Sequence, residues 1–483
     1  MDTLFSIKLH VLSPIHIGCD DVYEPTSFAL DERTGSLTAF DAMDLVRSLT
    51  PAERNRLTSI CMQGTISSIL ALYQFIAGRQ IKGRNIETAR ELPQHYRNMR
   101  MLSSMDERKI KQELNKFAIR RTSYTPYDGQ PYIPGSSLKG AFRTAYLNML
   151  ASKRDSKTFR GQAGDLEKML LGGSFATDPF RFVKVSDLMP ASALKAKIYY
   201  AVNKKRRESR YEARGPFQIV EAITEGALFE GVLNVLAPPN AREIKKPVSP
   251  ETLLRSLHDF YSRILEQEEV AAREIKTGVS IVKRIRDKFD GGLGKSFFLI
   301  RIGRHSGAEA VTIEGNRSIK IMQGKGQPNK YLDHATTFWL ASETSKPVSG
   351  DGLVPFGWAV LEIAPLDPTK AIYANRPATE PSPPANQAPG ASGMQASVET
   401  TRIEPKAPPV QHVVKDITLL WNPGNRSLTA TVEGKKALVE NIQRSFVPES
   451  LWPKLEKKKS VKTTIVVETL GNAFRIVKVE ENP

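Results

Sequence analysis

Apolar residues near the start of the chain recur with the spacing of strands and then of a helix. Residues 4–17 are β-branched and apolar with partial alternation, which predicts a first strand. Residues 26–30 and 37–40 predict a hairpin, and Asp41 is placed to cap the helix that follows it. Strand, hairpin and helix in this order are typical of the opening of a ferredoxin-like unit.

The rest of the chain shows the same mixture of strand-like and helix-like spacing of apolar residues. Residues 52–121 are mostly helical in pattern, and Ser249 with Pro250 begins a long amphipathic helix with Ser at the N-cap and Pro at the first helical position. Further strands are predicted at 180–187, 195–200, 217–223, 227–236 and 297–302. The pattern predicts an α+β protein of two fused ferredoxin-like (RRM-like) units, one at 1–190 with a helical insertion at about 52–121, and one at 191–364.

The composition changes sharply after these units. Residues 365–411 hold ten of the 31 prolines and one aromatic residue, so we predict a Pro-rich disordered linker there. In residues 412–483 apolar and polar positions alternate again, which predicts a small β-rich domain. Its twelve basic and eight acidic residues leave a charge of +4, and the pattern assigns it no role.

One short stretch, residues 132–147, reads as a tight turn followed at once by an amphipathic helix. Pro134 and Gly135 predict the turn, and Ser136 or Ser137 is a suitable N-cap. Lys139 and Arg143 lie one turn apart beside the unpaired N–H groups of a helix start. This arrangement favours an anion, and we expect a phosphodiester.

This stretch resembles a known family signature. Residues 134–143 read Pro-Gly-Ser-Ser-Leu-Lys-Gly-Ala-Phe-Arg, which resembles the signature of the RAMP superfamily, the repeat-associated proteins of CRISPR RNA-guided effectors. Residues 11–18, and residues 299–307 followed by 355–358, look like the fifth subunit of type III-A Csm complexes. The resemblance covers roughly residues 1–365.

The resemblance implies a non-catalytic subunit that binds CRISPR guide RNA. Such a subunit caps the 3′-end side of the guide in a type III-A effector ribonucleoprotein, which also holds target RNA and serves in antiviral defence. It contacts a RAMP backbone subunit, and a contact with a small helical subunit is left open. No cofactor, metal or catalytic residue is carried over.

The predicted RNA contacts form three groups. In the central motif, Gly135 would let the chain approach RNA, Ser136 and Ser137 would bond phosphate oxygens, and Lys139 and Arg143 would supply charge. Residues 203–214 resemble the flexible thumb that RAMP proteins extend across a guide strand. The remaining predicted contacts are Lys204, Lys205, Arg206, Arg207 and Arg210 in this thumb, and Arg301, Gly303, Arg304 and His305 in a late glycine loop.

The overall charge agrees with a polyanionic partner. The sequence has 69 Lys and Arg against 52 Asp and Glu, a net charge of +17. Its two cysteines, Cys19 and Cys61, form neither a disulfide framework nor a metal motif, which fits a reducing cytoplasm. No apolar run approaches the roughly 20 residues that cross a bilayer, so we expect a cytoplasmic protein without membrane contact.

Two other functions stay open. A metal-independent endoribonuclease that processes guide precursors would need a general base and acid, and His16 and His305 are the histidines in family-like motifs. A RAMP end subunit of the related Cmr (III-B) complex is the second. Residues 287–296 suggest a phosphate loop only superficially, because Phe289 stands where the motif requires glycine.

Overall fold

The computed structural model describes most of the chain in two compact units, Met1–Pro381 and Ser382–Pro483. The described residues are 3–102, 106–154, 159, 161–207, 215–238, 244–289, 291–322, 326–367, 411–422, 427–432, 435–439, 442, 444–458, 460–470 and 473–480. The predicted linker at 365–411 therefore lies almost entirely outside them.

The first unit contains both strands and helices. Its strands are β1 (Thr3–Val11), β2 (Gly18–Val22), β3 (Phe28–Asp31), β4 (Ser36–Ala39), β5 (Arg84–Thr88), β6 (Ile119–Thr122), β7 (Val183–Val185), β8 (Met189–Pro190), β9 (Ala196–Lys205), β10 (Gln218–Ile223), β11 (Leu228–Val235), β12 (Phe297–Arg301), β13 (Ile319–Ile321), β14 (Lys330–Leu332), β15 (Thr337–Ser342), β16 (Val354–Pro355) and β17 (Trp358–Pro365). Its helices are α1 (Ala42–Ser48), α2 (Pro51–Met62), α3 (Ile66–Ile76), α4 (Leu92–Arg100), α5 (Glu107–Phe117), α6 (Gly135–Ser152), α7 (Ala163–Leu171), α8 (Pro250–Glu274) and α9 (Ile281–Phe289). Short 3₁₀ turns lie at Pro25–Ser27, Phe175–Thr177, Pro179–Phe182 and Glu309–Val311.

The first sheet has the order β12-β17-β1-β11-β7, with β8 added beside β11. Neighbouring strands are antiparallel throughout. Helix α6 lies between β1 and β7 in the chain, and α8 lies between β11 and β17. The strands β17-β1-β11-β7 and these two helices therefore have the β-α-β-β-α-β connectivity of a ferredoxin-like unit. Buried Phe142 of α6 and Phe260 of α8 belong to one core with Ile7 and Trp358 of the sheet.

The second sheet is built from the chain segments that connect the strands and helices of the first sheet's layer. Its order is β2-β6-β10-β9-β5-β4-β3, and β15, which carries β16, also pairs with β9. Strands β2 to β6 lie between β1 and α6, β9 and β10 lie between β7 and β11, and β15 and β16 lie between β12 and β17. Long insertions at three points of one unit thus meet in a second layer of strands.

This arrangement corrects the predicted division at residue 190. Strand β1 pairs with β11 on one side and β17 on the other, so the first sheet uses strands from both predicted units. The described strands of the second sheet follow a different order from the ferredoxin-like one. Hydrophobic periodicity identifies a strand but carries no information about its partner, so contiguous units were the wrong interpretation.

Several predicted elements differ in extent. The first strand ends at Val11 rather than at residue 17, and the predicted strand 180–187 begins as a 3₁₀ turn before β7. The helical region 52–121 contains the strand β5, whose Ile86 is buried. Strand β9 continues to Lys205, beyond the predicted end at residue 200, because β15 pairs with its second half. By contrast, the Asp41 cap is confirmed, since its carboxylate accepts from the N–H of Met43 at 2.7 Å.

The second unit is a small closed barrel. Its elements are β18 (Gln411–Asn422), β19 (Ser427–Val432), β20 (Lys435–Val439), α10 (Trp452–Lys458), β21 (Ser460–Leu470) and β22 (Ala473–Glu480), with 3₁₀ turns at Arg444–Phe446 and Glu449–Leu451. The strands close in the order β18-β19-β20-β22-β21. They occupy the range that the sequence predicts to be β-rich. Among the described helices of both units, none has the length and apolar character to cross a membrane.

Candidate functional site

The start of α6 is capped from within the protein. Gly135 is the first helical residue, and its N–H donates to the Asp187 carboxylate at 2.8 Å. Pro134 occupies the N-cap position, and no side chain caps the helix from there. The expectation that Ser136 or Ser137 is the N-cap is therefore wrong. An internal carboxylate occupies the helix start, where the sequence predicts an external phosphate.

Gly135 is needed for packing between backbones. A Cβ atom at this position would lie 2.3 Å from the carbonyl oxygen of Val185 and 2.6 Å from that of Ser186. Both contacts are with the end of β7 and the residue after it, so the close approach that glycine permits here is to protein. The predicted role of Gly135 in approaching RNA has no counterpart in this geometry.

Arg143 is held by two carboxylates. Its guanidinium lies 2.9 Å from Glu167 and 2.8 Å from Asp178, and it also sits 5.4 Å from the ring of Phe180. The two acids balance its charge and fix its position. Arg143 therefore connects α6 to α7 and to the 3₁₀ turn before β7. Its charge is taken up by these acids, whereas the sequence predicts that it is available to RNA.

Lys139 has a second lysine, Lys184, near it. Burial lowers the pKa of Lys139, nearby Lys184 on β7 lowers it further, and Asp178 acts in the opposite direction. No ion pair joins Lys139 or Lys184 to any described residue. Ser136 lies one helical turn before Lys139 and is exposed. These three side chains form the lysine pair site, in which two positive charges without an ion-paired acid stand beside a hydroxyl.

Lys184 was missed by sequence reasoning for a clear reason. It is 45 residues from Lys139 and stands alone in a short strand, so no local motif marks it. The pairing of β7 with the edge of the first sheet brings it to the start of α6. An alternation of Lys184 with apolar Val183 and Val185 was the one available signal, and it indicates an outward-facing strand position only.

Arg301 belongs to the core of the first unit. Its side chain is almost fully buried, it forms an ion pair with buried Glu268, and it donates to the carbonyl oxygen of Phe356 at 2.9 Å. The indole N–H of Trp358 donates to the same Glu268 at 3.0 Å. The donors of Arg301 are thus committed inside the protein, and its predicted contact with RNA stays a prediction.

The loop after Arg301 carries strained and exposed residues together. Gly303 has a φ of 88°, and a Cβ there would lie 2.7 Å from the carbonyl oxygen of His16. The N–H of Arg304 donates to that same oxygen at 2.8 Å, while its side chain remains 44% exposed. A longer contact of 3.7 Å joins it to Asp20. Gly303 thus fixes the loop against the segment between β1 and β2, and Arg304 is left partly exposed.

His16 and His305 form a stacked pair. Their ring centroids are 6.0 Å apart with 19° between the planes. Burial lowers the pKa of His16 to about 4 and that of His305 to about 3, and Arg304 lowers both further. The Nδ1–H of His16 donates to the carbonyl oxygen of Glu221 at 2.7 Å. The Nε2 atom of each ring is buried and has no hydrogen-bond partner among the described residues.

Further basic and aromatic residues lie in the chain shortly before α6. Arg120 acts electrostatically on both histidines, and Arg121 stacks 3.4 Å over the ring centroid of Tyr124. Residues 123–134 then lead to α6, bonded to Ile17 at one end and bridged to Leu188 at the other. Within them, Tyr127 is 99% exposed. This segment joins the lysine pair site and the histidine pair along one continuous piece of chain.

Two of the five predicted thumb residues are engaged elsewhere in the protein. Lys204 donates to the carbonyl oxygen of Pro347 at 2.8 Å, and Arg206 pairs with buried Glu309 at 2.9 Å. Lys205 lies within β9, in register with Thr337. Arg207 is exposed at the end of this segment. Arg210 lies outside the described residues, so its predicted role stays a prediction.

Some of the basic residues in the helical region are balanced by acids of the same chain. Between residues 79 and 121 there are twelve basic and five acidic residues. Arg97 and Arg100 both pair with Glu32 from the preceding hairpin, each at 2.7 Å.

Within the described residues, no three His, Cys, Asp or Glu side chains come together as a metal ion would require.

Comparison with known proteins gives one family. A family model described as the RAMP superfamily matches residues 8–338. No curated protein matches the sequence. Among solved structures, the chain is similar to one from a structure titled as the cryo-EM Csm-crRNA-target RNA ternary complex of a type III-A CRISPR-Cas system, with 18% identity, a TM-score of 0.48, and coverage of 74% of this chain and 100% of that one. It is also similar to Csm5 of T. onnurineus, with 17% identity, a TM-score of 0.43, and coverage of 73% and 99%.

Proposed function

The chain belongs to the RAMP superfamily, and on that premise we propose that it is a non-catalytic subunit that binds guide RNA in a type III-A CRISPR effector. The observation that carries the proposal is the lysine pair site. Burial lowers the pKa of Lys139, the charge of Lys184 lowers it further, and neither lysine is ion-paired with a described acid. A phosphodiester placed between them would relieve this repulsion.

The lysine pair site differs from the site expected from sequence. Backbone N–H groups at the helix start contribute less than expected, because Asp187 occupies the Gly135 amide. Exposed Ser136 supplies a hydroxyl to a phosphate oxygen, and the two lysines supply charge. Binding is therefore mainly electrostatic and independent of base identity.

A second RNA contact lies near His16 and His305, where residues 123–134 begin. Exposed Arg304, together with Arg120 and Arg121, provides charge there. Tyr127 projects from the segment in between and offers a face on which a base can stack. A single strand that follows this segment would meet cation, aromatic ring and cation in turn.

The position in the effector follows from the resemblance of residues 11–18 and 299–307 to the guide-capping subunit. We propose that the chain covers the guide's 3′-end side, next to a RAMP backbone subunit, in a particle that also holds target RNA. A contact with a small helical subunit stays open in this arrangement.

The end of the guide that the chain contacts can be mapped directly. Guide RNAs carrying a photoreactive uridine near either the 5′ or the 3′ end would be assembled into the effector and irradiated, and the crosslinked peptides would be sequenced. We expect the 3′ probe to label residues 123–147 or the peptide with Lys184. Labelling from the 5′ probe alone would contradict the capping position and favour an end subunit of the related Cmr complex or another position.

A second candidate function is metal-independent RNA cleavage, favoured by the stacking of His16 on His305. Both rings are neutral at pH 7, as a general base must be, but both Nε2 atoms are buried and reach substrate only after local movement. Repeat RNA would be incubated without metal with the wild-type protein, His16→Ala, His305→Ala and, as a control, exposed His334→Ala. Specific cleavage lost in either of the first two variants and kept in the third would favour the enzyme. Intact RNA in every sample would exclude it.

A further inference from the structure

The connectivity of the C-terminal barrel is that of an OB-fold. Strand β18 pairs with β19 and β21, β19 pairs with β20, and β22 closes the barrel between β20 and β21. Numbered within the barrel, this order is 1-2-3-5-4. Strands β20 and β22 are parallel, and α10 stands in the chain between β20 and β21. A five-stranded Greek-key barrel of this kind binds oligonucleotides on the face of its second and third strands.

Two further features fit that fold. The first strand, β18, is long and shifts register between Val414 and Ile417, where Asp416 has a φ of 54°. Such a bulge lets one strand bend from one side of a barrel to the other. Trp452 at the start of α10 packs edge-on against Trp421 with 5.1 Å between ring centroids, so the helix covers the apolar interior.

The register of β18, β19 and β20 shows which residues lie together on the outer face of the barrel. Leu419, Leu428 and Ala430 point into the core, so their neighbours along each strand face outward. Leu420, which is 49% exposed, pairs with Thr429, and Thr429 pairs with Leu438. A row of two leucines with a threonine between them, here called the apolar row, thus crosses three strands on the outside of the barrel.

Lysines stand at register positions around this row. Thr431, exposed beside Thr429, pairs with Lys436, and Thr418 pairs with exposed Lys462 on β21. Three charged residues, Lys435, Lys436 and Lys462, and no acid occur among the described register pairs of this part of the barrel. These pairs join residues 418–422, 427–432, 435–439 and 460–462. An apolar strip bordered by lysines is complementary to bases flanked by phosphates.

We propose that this face, made of Leu420, Thr429, Thr431, Leu438, Lys436 and Lys462, is a second nucleic-acid site that binds single-stranded RNA or DNA. It is separate from the lysine pair site and does not rest on the function proposed for the first unit. The bases lie on the apolar row and the phosphates lie against the lysines. Because the contacts are not directed at base edges, we expect little sequence preference.

The site can be tested in the full-length chain with a photoreactive phenylalanine analogue. The analogue would replace Thr429 on the proposed face or, as a control, exposed Lys454 on α10. Each protein would be irradiated with end-labelled 15-nucleotide oligo(U) or oligo(dT), in the wild-type background and with Lys139→Gln and Lys184→Gln added. We expect crosslinking at position 429 at least ten-fold above that at 454, in both backgrounds.

The two oligonucleotides identify the ligand. Labelling by both, or by one of them, supports the site and assigns RNA, DNA or both. Labelling at position 429 no greater than at 454 overturns it, whatever the first unit binds. Lys436→Glu combined with Lys462→Glu should reduce the crosslink at 429 at least five-fold while leaving the thermal unfolding profile unchanged. Full crosslinking in that variant would also overturn the proposal.

Discussion

The N–H of Gly135 donates to the carboxylate of Asp187 at 2.8 Å, so the start of α6 already holds a negative group from the same chain. This one contact changes how the RAMP signature works here. The glycine and the helix start build the fold, and the lysines beside them supply the surface charge. Structural and binding roles within one ten-residue motif can therefore be separated by mutation.

Gly135→Ala should destabilise the first unit. Its new methyl group would lie 2.3 Å from the Val185 carbonyl oxygen, so the backbone of α6 or β7 must move, at a cost of roughly 1 to 3 kcal/mol in the free energy of unfolding. Gly140→Ala is the matched control, because it stands on the same helix with no atom within 4 Å of the added carbon. That variant should gain about 0.5 to 1 kcal/mol. Chemical denaturation measures both, and equal effects would contradict the packing role of Gly135.

Arg301→Met should cost stability and leave RNA binding unchanged. Removing the guanidinium leaves the buried carboxylate of Glu268 without its cation, which typically costs about 3 to 5 kcal/mol. Adding Glu268→Gln should restore part of this loss, since the charge is then absent. Denaturation reports the stability, and the salt dependence of RNA affinity is measured at a temperature where the variant is folded. A smaller salt dependence with undiminished stability would show that Arg301 contacts RNA after all.

The histidine pair should make stability depend on pH below neutrality. The folded pKa values, about 4 for His16 and about 3 for His305, lie below the ordinary value of 6.5. The unfolded chain therefore binds more protons between these limits, so stability is fully present above pH 6.5 and is lost as the pH falls toward 4. His16 alone should contribute roughly 3 kcal/mol to this loss.

A comparison of variants isolates that contribution. Unfolding free energies would be measured between pH 7.5 and 4.5 for the wild type, for His16→Gln with His305→Gln, and for exposed His334→Gln. The double variant should show a shallower decline than the wild type, and His334→Gln should follow the wild type. Parallel curves for all three would show that the buried pair is not the source of the dependence.

Local elements could be predicted from sequence where a nearby residue determines them. The Asp41 cap and the helix that begins with Ser249 and Pro250 depend on contacts within a few residues, and the structure has both. The predicted boundary at residue 190 failed because β1 finds partners more than 200 residues away. Strand partners are chosen by the packing of the whole unit, which a local pattern does not record.

The candidate site shows the same limit. Motif residues were predicted as contacts because their types suit RNA, yet Arg143 and Arg301 are neutralised by acids from distant segments. Lys184 carries charge at the site and has no motif of its own. A sequence gives the sign of each charge, and only the fold decides which charges are paired.

The central claim is that Lys139 and Lys184 bind the RNA backbone, and the salt dependence of affinity tests it most directly. Affinity for a single-stranded guide would be measured by fluorescence anisotropy from 50 to 300 mM KCl for the wild type, for Lys139→Gln with Lys184→Gln, and for exposed Lys283→Gln with Lys288→Gln on α9 as a charge-matched control. Each phosphate contact contributes about 0.7 to the slope of log affinity against log salt. We predict weaker binding and a slope shallower by about 1 to 1.5 in the first variant, with a wild-type slope in the control. A wild-type affinity and slope for the Lys139 and Lys184 variant would contradict the account.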